Sequence, residues 1–166
     1  MKLRDLLGVK QPAPIVAHLM KTSVYTCLPD DSLNRAAQIM WDNDCGSVPV
    51  VDAEGHLQGM LTDRDVCMAA YTTDIPLSRA TAQNAMSKSV YTCRPEDALD
   101  YAERLMQLYQ IRRLPVVDNQ ERVVGILSLG DIARYFSRGD NSVDAKSLAK
   151  TLAAISRERV KKPFVA

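Results

Sequence analysis

The 166-residue chain has little of what usually announces catalysis or metal binding. It has two histidines, His18 and His56, and four cysteines, Cys27, Cys45, Cys67 and Cys93, none of them in a C-x-x-C pair. A structural zinc site ordinarily declares itself by such pairs. The expectation is therefore no metal and four reduced thiols packed as small apolar residues, which points to a cytoplasmic setting. No G-x-S-x-G, H-E-x-x-H or Walker-type glycine loop occurs, and acid–base work most often needs a positioned His. An enzyme is not expected. An excess of one charge is also missing: 21 Lys and Arg stand against 20 Asp and Glu. That balance gives no reason to expect nucleic acid or an anionic membrane as partner. No apolar run approaches the roughly 20 residues of a membrane span. Arg4 and Asp5 interrupt the only greasy stretch near the N-terminus, so a secretory leader is not expected.

What is present is a repeat. SVYTC stands at 23–27 and at 89–93, and PVVD at 49–52 and at 115–118, so the offset is 89 − 23 = 115 − 49 = 66 residues. The same register pairs Gly59 with Gly125, Thr62 with Ser128 and Asp65 with Asp131. With 46% apolar and 25% charged residues, the composition is that of a globular protein with a real core.

Each unit reads β-α-β-β-α, a mixed α and β class. Val24 to Cys27 is short and β-rich, and Pro29 stops it, which predicts a strand. Pro29-Asp30-Asp31-Ser32 predicts a helix start with acids at the positive end of the dipole. Leu33, Ala36, Ala37, Met40 and Trp41 then mark one helix face. Val48 to Val51 predicts a strand buried on both sides, and Leu57 to Leu61 a third strand. A second helix runs from Arg64 to about Tyr71, with Val66, Ala69 and Ala70 on one side. The second unit repeats this with strands at 90–93, 114–117 and 122–127 and helices at about 97–109 and 130–137. Short helices at 15–20 and about 81–86 lead into the units. The expected division is an N-terminal segment at 1–14, units at 15–71 and 81–137, a linker at 72–80 and a tail at 138–166. Neither unit is large enough to bury its own surfaces, so the two should pack sheet to sheet about a pseudo-twofold. In the tail, Leu148, Leu152 and Ile155 form a narrow helical stripe after a break at Arg138–Ser142. Arg157, Arg159, Lys161 and Lys162 make a basic end.

The Pro-Asp helix start, PVVD and the two segments GMLTDRD and GILSLGD, in order and twice, resemble the cystathionine-β-synthase-type (CBS) domain. The tandem arrangement over about 15–137 is similar to a CBS domain pair. GILSLGDI and IRRLPVVD are similar to segments of the regulatory subunit of AMP-activated protein kinase. GMLTDRD is similar to small stand-alone bacterial members. The resemblance implies a regulatory module with no required cofactor. It would bind AMP, ADP, ATP or S-adenosylmethionine in clefts between the units, associate into a disc-shaped homodimer and act on a target protein.

It also implies that Asp65 and Asp131 hold ribose hydroxyls, with Thr62 and Ser128 beside the phosphate path. A carboxylate offers two acceptors to two adjacent hydroxyls, and a helix start suits phosphate. Thr62-x-x-Asp65 and Ser128-x-x-Asp131 are equally capping boxes, and one pair can serve both purposes. Arg112 and Arg113 precede the second PVVD, where the family can place a phosphate ligand; they could also be solvated charges ending a helix. Arg64 could add a phosphate contact or pair with Asp63 on the surface. Thr26 and Thr92 align with positions that meet adenine in the family, though strand propensity alone explains them. Asp31 and Asp97 read as helix-start acids. Two other functions fit the residues: a thiol redox or metal sensor using the repeat-equivalent Cys27 and Cys93, and a docking adaptor with no ligand.

Overall fold

A computed structural model of the chain describes residues 13–137 and 145–158. The predicted break at 138–142 and the basic residues Arg159, Lys161 and Lys162 lie outside them.

The first unit contains α1 (Leu33–Asp42), β1 (Ser47–Val51), β2 (Leu57–Thr62) and α2 (Asp63–Thr72). A short α3 (Ala82–Ala85) leads into the second, which contains α4 (Leu99–Tyr109), β3 (Arg113–Val117), β4 (Val123–Ser128) and α5 (Leu129–Ser137). The tail forms α6 (Ala145–Ile155). β1–β2 and β3–β4 are antiparallel hairpins whose registers coincide under the 66-residue shift, from Ser47↔Thr62 and Arg113↔Ser128 down to a shared irregularity after Val50 and Val116. All five residues of β1 are buried, as an apolar run predicts.

Three local expectations are corrected. The predicted first strands shrink to one parallel bridge each, Cys27↔Val50 and Cys93↔Val116. The neighbouring Leu28-Pro29 and Arg94-Pro95 turn the chain away, because proline cannot donate to a ladder. Asp31 and Asp97 precede the helices rather than enter them; each closes a turn by accepting a backbone N–H, from Leu28 and Arg94, at 2.7 Å. Ser32 is the cap of α1, accepting from the Arg35 N–H at 3.2 Å. Trp41 and Ala70 are exposed instead of buried, because the core faces of α1 and α2 narrow to Leu33, Ala36, Ile39 and Met40 and to Val66.

The leading segments cross between units. Lys21 exchanges two backbone hydrogen bonds with Ile126 of β4, and Ser87 does the same with Met60 of β2, all at 2.9–3.0 Å. Val16 and Leu19 consequently belong to the core of the second unit, and Ala80 and Ala82 to that of the first. Gly59 and Gly125 make the crossings possible. A Cβ on Gly125 would lie 2.7 Å from Met20 Sδ and 3.2 Å from the Lys21 carbonyl, and a Cβ on Gly59 would overlap Met86. At the hairpin tips His56 pairs with its own equivalent, Arg122. Leu57 N–H donates to Glu121 O and Val123 N–H to Gly55 O, a reciprocal pair that marks the pseudo-twofold.

Candidate functional site

Each strand-to-helix junction ends in a hydroxyl followed three residues later by Asp. At α2, Thr62 N–H and Oγ1 donate to Asp65 Oδ2 at 2.9 and 2.7 Å, and Asp65 N–H donates back to Thr62 Oγ1 at 3.2 Å. Ser128 and Asp131 make the same set at α5, with 2.9 Å from Ser128 N–H and 3.2 Å back from Asp131 N–H. Both junctions are therefore capping boxes. They differ at the second carboxylate oxygen. Asp131 Oδ1 pairs with the Arg134 guanidinium one turn along, and Asp131 is 7% exposed.

In front of Asp131 lies a cleft of about 650 Å³, within the range of small-molecule sites. One wall is Ser128, Leu129, Gly130, Asp131 and Arg134 of the second unit; facing it are Val24, Tyr25, Ser47 and Pro49 of the first. Four cations line it: Lys21, Arg112, Arg113 and Arg134, against Asp44 and Asp131. Lys21, Arg112 and Arg113 have no ion pair among the described residues. Ser47, 5% exposed, lines the same cleft, and its Oγ has no hydrogen-bond partner among the described residues. A buried hydroxyl without a partner is costly, and an occupant of the cleft could supply one.

The opposite half is built differently. Subtracting or adding 66, the four cations map to Ser87, Gly46, Ser47 and Met68, so no basic side chain recurs. Tyr25 and Asn43, which line the cleft, map to Tyr91 and Tyr109, and these two rings stack with centroids 3.4 Å apart. Desolvation first, then the Tyr109 phenol beside it, raises the pKa of Tyr91. The rings occupy the positions equivalent to the cleft-lining Tyr25 and Asn43.

A family model for the CBS domain matches residues 16–71 and again 82–138. The chain belongs to the CBS-domain family. It is 35% identical over 145 residues to the CBS domain-containing protein YhcV of Bacillus subtilis, covering 87% of this chain and 97% of that one. Over 117 residues it is 34% identical to homoserine O-acetyltransferase of Methanosalsum zhilinae, but spans only 23% of that enzyme. The solved CBS domain pair of protein MJ0100, in complex with 5′-methylthioadenosine and S-adenosyl-L-methionine, superposes with a TM-score of 0.70 at 29% identity. The match covers 78% of this chain and all of that one.

Within the CBS pair, the structure gathers Arg112, Arg113, Ser128 and Asp131 into the cleft. Thr62 and Asp65 form the opposite helix start, with Arg64 exposed beside them and its N–H donating to Asp63 Oδ1. Thr26 and Thr92 are half-buried and line neither the cleft nor the smaller groove of about 550 Å³ between α1 and α2; Tyr25 takes the cleft position. Lys21, Ser47 and Arg134 were not anticipated. Their signal was present as departures from the repeat, since each faces an unlike residue 66 positions away.

Cys27 and Cys93 sit in separate CBS cores. Burial first, then Asp31 and Asp97 respectively, pushes their thiols up to about 11 and about 12. The thiolate is the reactive form, so at pH 8 each should label far more slowly than the exposed Cys67, as thiol counting under native conditions will show. Because both pKa values rise on folding from 9.0, their contribution to stability is full below pH 9 and is lost as pH climbs toward 11 and 12.

Among the described residues, three possible metal donors converge at Asp52, Glu54 and His56. Asp52 is already committed to the β1–β2 turn, accepting the Glu54 and His56 N–H groups and the His56 ring. Asp118 clamps the other turn in the same way through Gln120 and Arg122. No described helix is long and apolar enough to cross a membrane.

Proposed function

We propose that the chain is a regulatory module that binds one phosphorylated adenosine compound in the cleft at Asp131. The observation that carries this reading is the convergence of four cations, an unpartnered buried Ser47 hydroxyl and an acid-capped helix start on one cleft. Asp131 accepts the ribose hydroxyls beside the Arg134 guanidinium it already pairs with, and Arg112, Arg113 and Lys21 neutralise phosphate. At the start of α5, Leu129 N–H is taken by the Arg112 carbonyl and Asp131 N–H by Ser128 Oγ, which leaves Gly130, itself lining the cleft, as the helix-start N–H for a phosphate oxygen. The MJ0100 pair with its two adenosine-containing ligands supports the ligand class. S-adenosylmethionine, which carries a sulfonium cation, suits four basic side chains poorly. AMP, ADP and ATP suit them well.

On this reading the protein is not catalytic. It works in the cytoplasm, and its output passes to a target protein through a homodimer. Exposed Trp41 and Tyr71, on α1 and α2, offer a face for such association. The thiol-sensor reading loses support because Cys27 and Cys93 lie in different cores with their thiolates suppressed.

A thermal-shift panel of adenosine, AMP, ADP, ATP and S-adenosylmethionine at millimolar concentration tests the proposal. At least one phosphorylated compound should raise Tm, by more than adenosine or S-adenosylmethionine, because a ligand that binds only the folded state stabilises it. No shift with any of them would leave the ligand-free adaptor as the better reading.

A further inference from the structure

We infer that α6 is part of the nucleotide site, so that filling the cleft and docking α6 reinforce each other. The inference rests on the proposed nucleotide reading. α6 lies outside both segments matched to the CBS domain, yet its Leu148 and Leu152 line the cleft beside Asp131 and Arg134. Ile155, on the same stripe, is buried in the core of the second unit.

The receiving surface on α4 is specific. Gln107 donates to Thr151 Oγ1 at 2.7 Å, and Thr151 and Ser147 hydroxyls donate to the two carboxylate oxygens of Glu103 at 3.2 and 3.1 Å. Glu103 is 4% exposed and Thr151 is fully buried. Gln110 donates to the carbonyls of Ala154 and Arg157 at the helix end. In the first unit the matching positions hold Ala37, Trp41 and Asp44, so this polar seam is not inherited from the repeat.

Two physical points set the direction of coupling. An 11-residue helix is marginal alone and stays formed by what it docks on. Its docked position leaves the cleft large enough for a nucleotide, so a ligand gains the two leucines without evicting the helix. A ligand that touches both the CBS pair and α6 favours the docked state, and by linkage docking tightens the ligand.

The test uses the full chain and whichever of AMP and ATP binds more tightly. Hydrogen exchange across 145–155 should slow by about fivefold or more on saturation, beyond any change in α2 of the first unit. Thr151→Val, which breaks the seam without touching the cleft, and Leu152→Ala, which trims the cleft wall without touching the seam, should each weaken binding by about threefold or more. If the nucleotide binds the wild-type chain while α6 exchange and both affinities stay unchanged, α6 is only a structural strut and the inference falls. If neither nucleotide binds the wild-type chain, the nucleotide reading falls and takes this inference with it. The wild-type exchange measurement decides the matter even if a variant folds poorly.

Discussion

Asp131→Ala should weaken AMP binding by about 10–100-fold, whereas Asp65→Ala should leave it nearly unchanged. A hydrogen bond to a charged group contributes about 1.5–3 kcal/mol when it is lost, and every 1.4 kcal/mol is a factor of ten in affinity. Asp131→Asn keeps the shape and one acceptor, and should fall between the wild type and Ala. The comparison is controlled by the shared capping role. Each aspartate closes a capping box on its helix, so each Ala variant should lose about 1 kcal/mol of stability, or about 2–4 °C in Tm for a chain of this size, and Asp131→Ala should lose more because it also breaks the pair with Arg134. Stability losses in both variants with a binding loss in Asp131→Ala alone would isolate the ligand role of Asp131. Isothermal titration and differential scanning calorimetry read the two quantities separately. Equal binding losses in both variants would mean that the stacked Tyr91 and Tyr109 do not close the opposite half.

Gly125→Val should destabilise the whole molecule by about 1–3 kcal/mol, the usual cost of overpacking, which corresponds to about 2–12 °C in Tm. Valine normally favours a strand over glycine, so the sign of the result is informative. The added Cβ would sit 2.7 Å from Met20 Sδ and 3.2 Å from the Lys21 carbonyl. Methionine can move; the carbonyl accepts the Ile126 N–H that holds the crossing segment to β4. Adding Met20→Ala should therefore recover part of the loss and not all of it. Because Lys21 and Ile126 both line the cleft, AMP affinity should fall as well. A Gly125→Val chain as stable as wild type would show that the crossing segment does not press on β4 as described.

The 66-residue echo carried much of this. It placed the hairpins, their flanking helices and both Asp-bearing junctions, because each depends on local patterning that survives duplication. Three features were not legible. A repeat register does not say which unit a leading segment packs on, so the exchange of Val16 and Leu19 for Ala80 and Ala82 was hidden. Thr26 was aligned to the cleft by family position. Its segment makes only one sheet bridge, so no regular ladder fixes which side chains face inward, and Tyr25 takes the place instead. Trp41 fell on the helical stripe of α1, yet the helix ends one residue later at Asp42 and the ring is left 85% exposed. The cleft itself was half legible. Arg112 and Arg113 stood out before PVVD, but Lys21 and Arg134 come from a crossing segment and from the second turn of a helix, places where isolated basic residues are ordinary. What distinguishes all four is that none recurs in the other unit.

The most direct test of a single anion-binding site is the crystal structure of the full chain with AMP. The account predicts one nucleotide per chain, its ribose on Asp131 and its phosphate among Arg112, Arg113 and Lys21. The positions of Tyr91 and Tyr109 should remain closed. A nucleotide seated instead on Asp65, or two nucleotides of equal occupancy in the two halves, would contradict it.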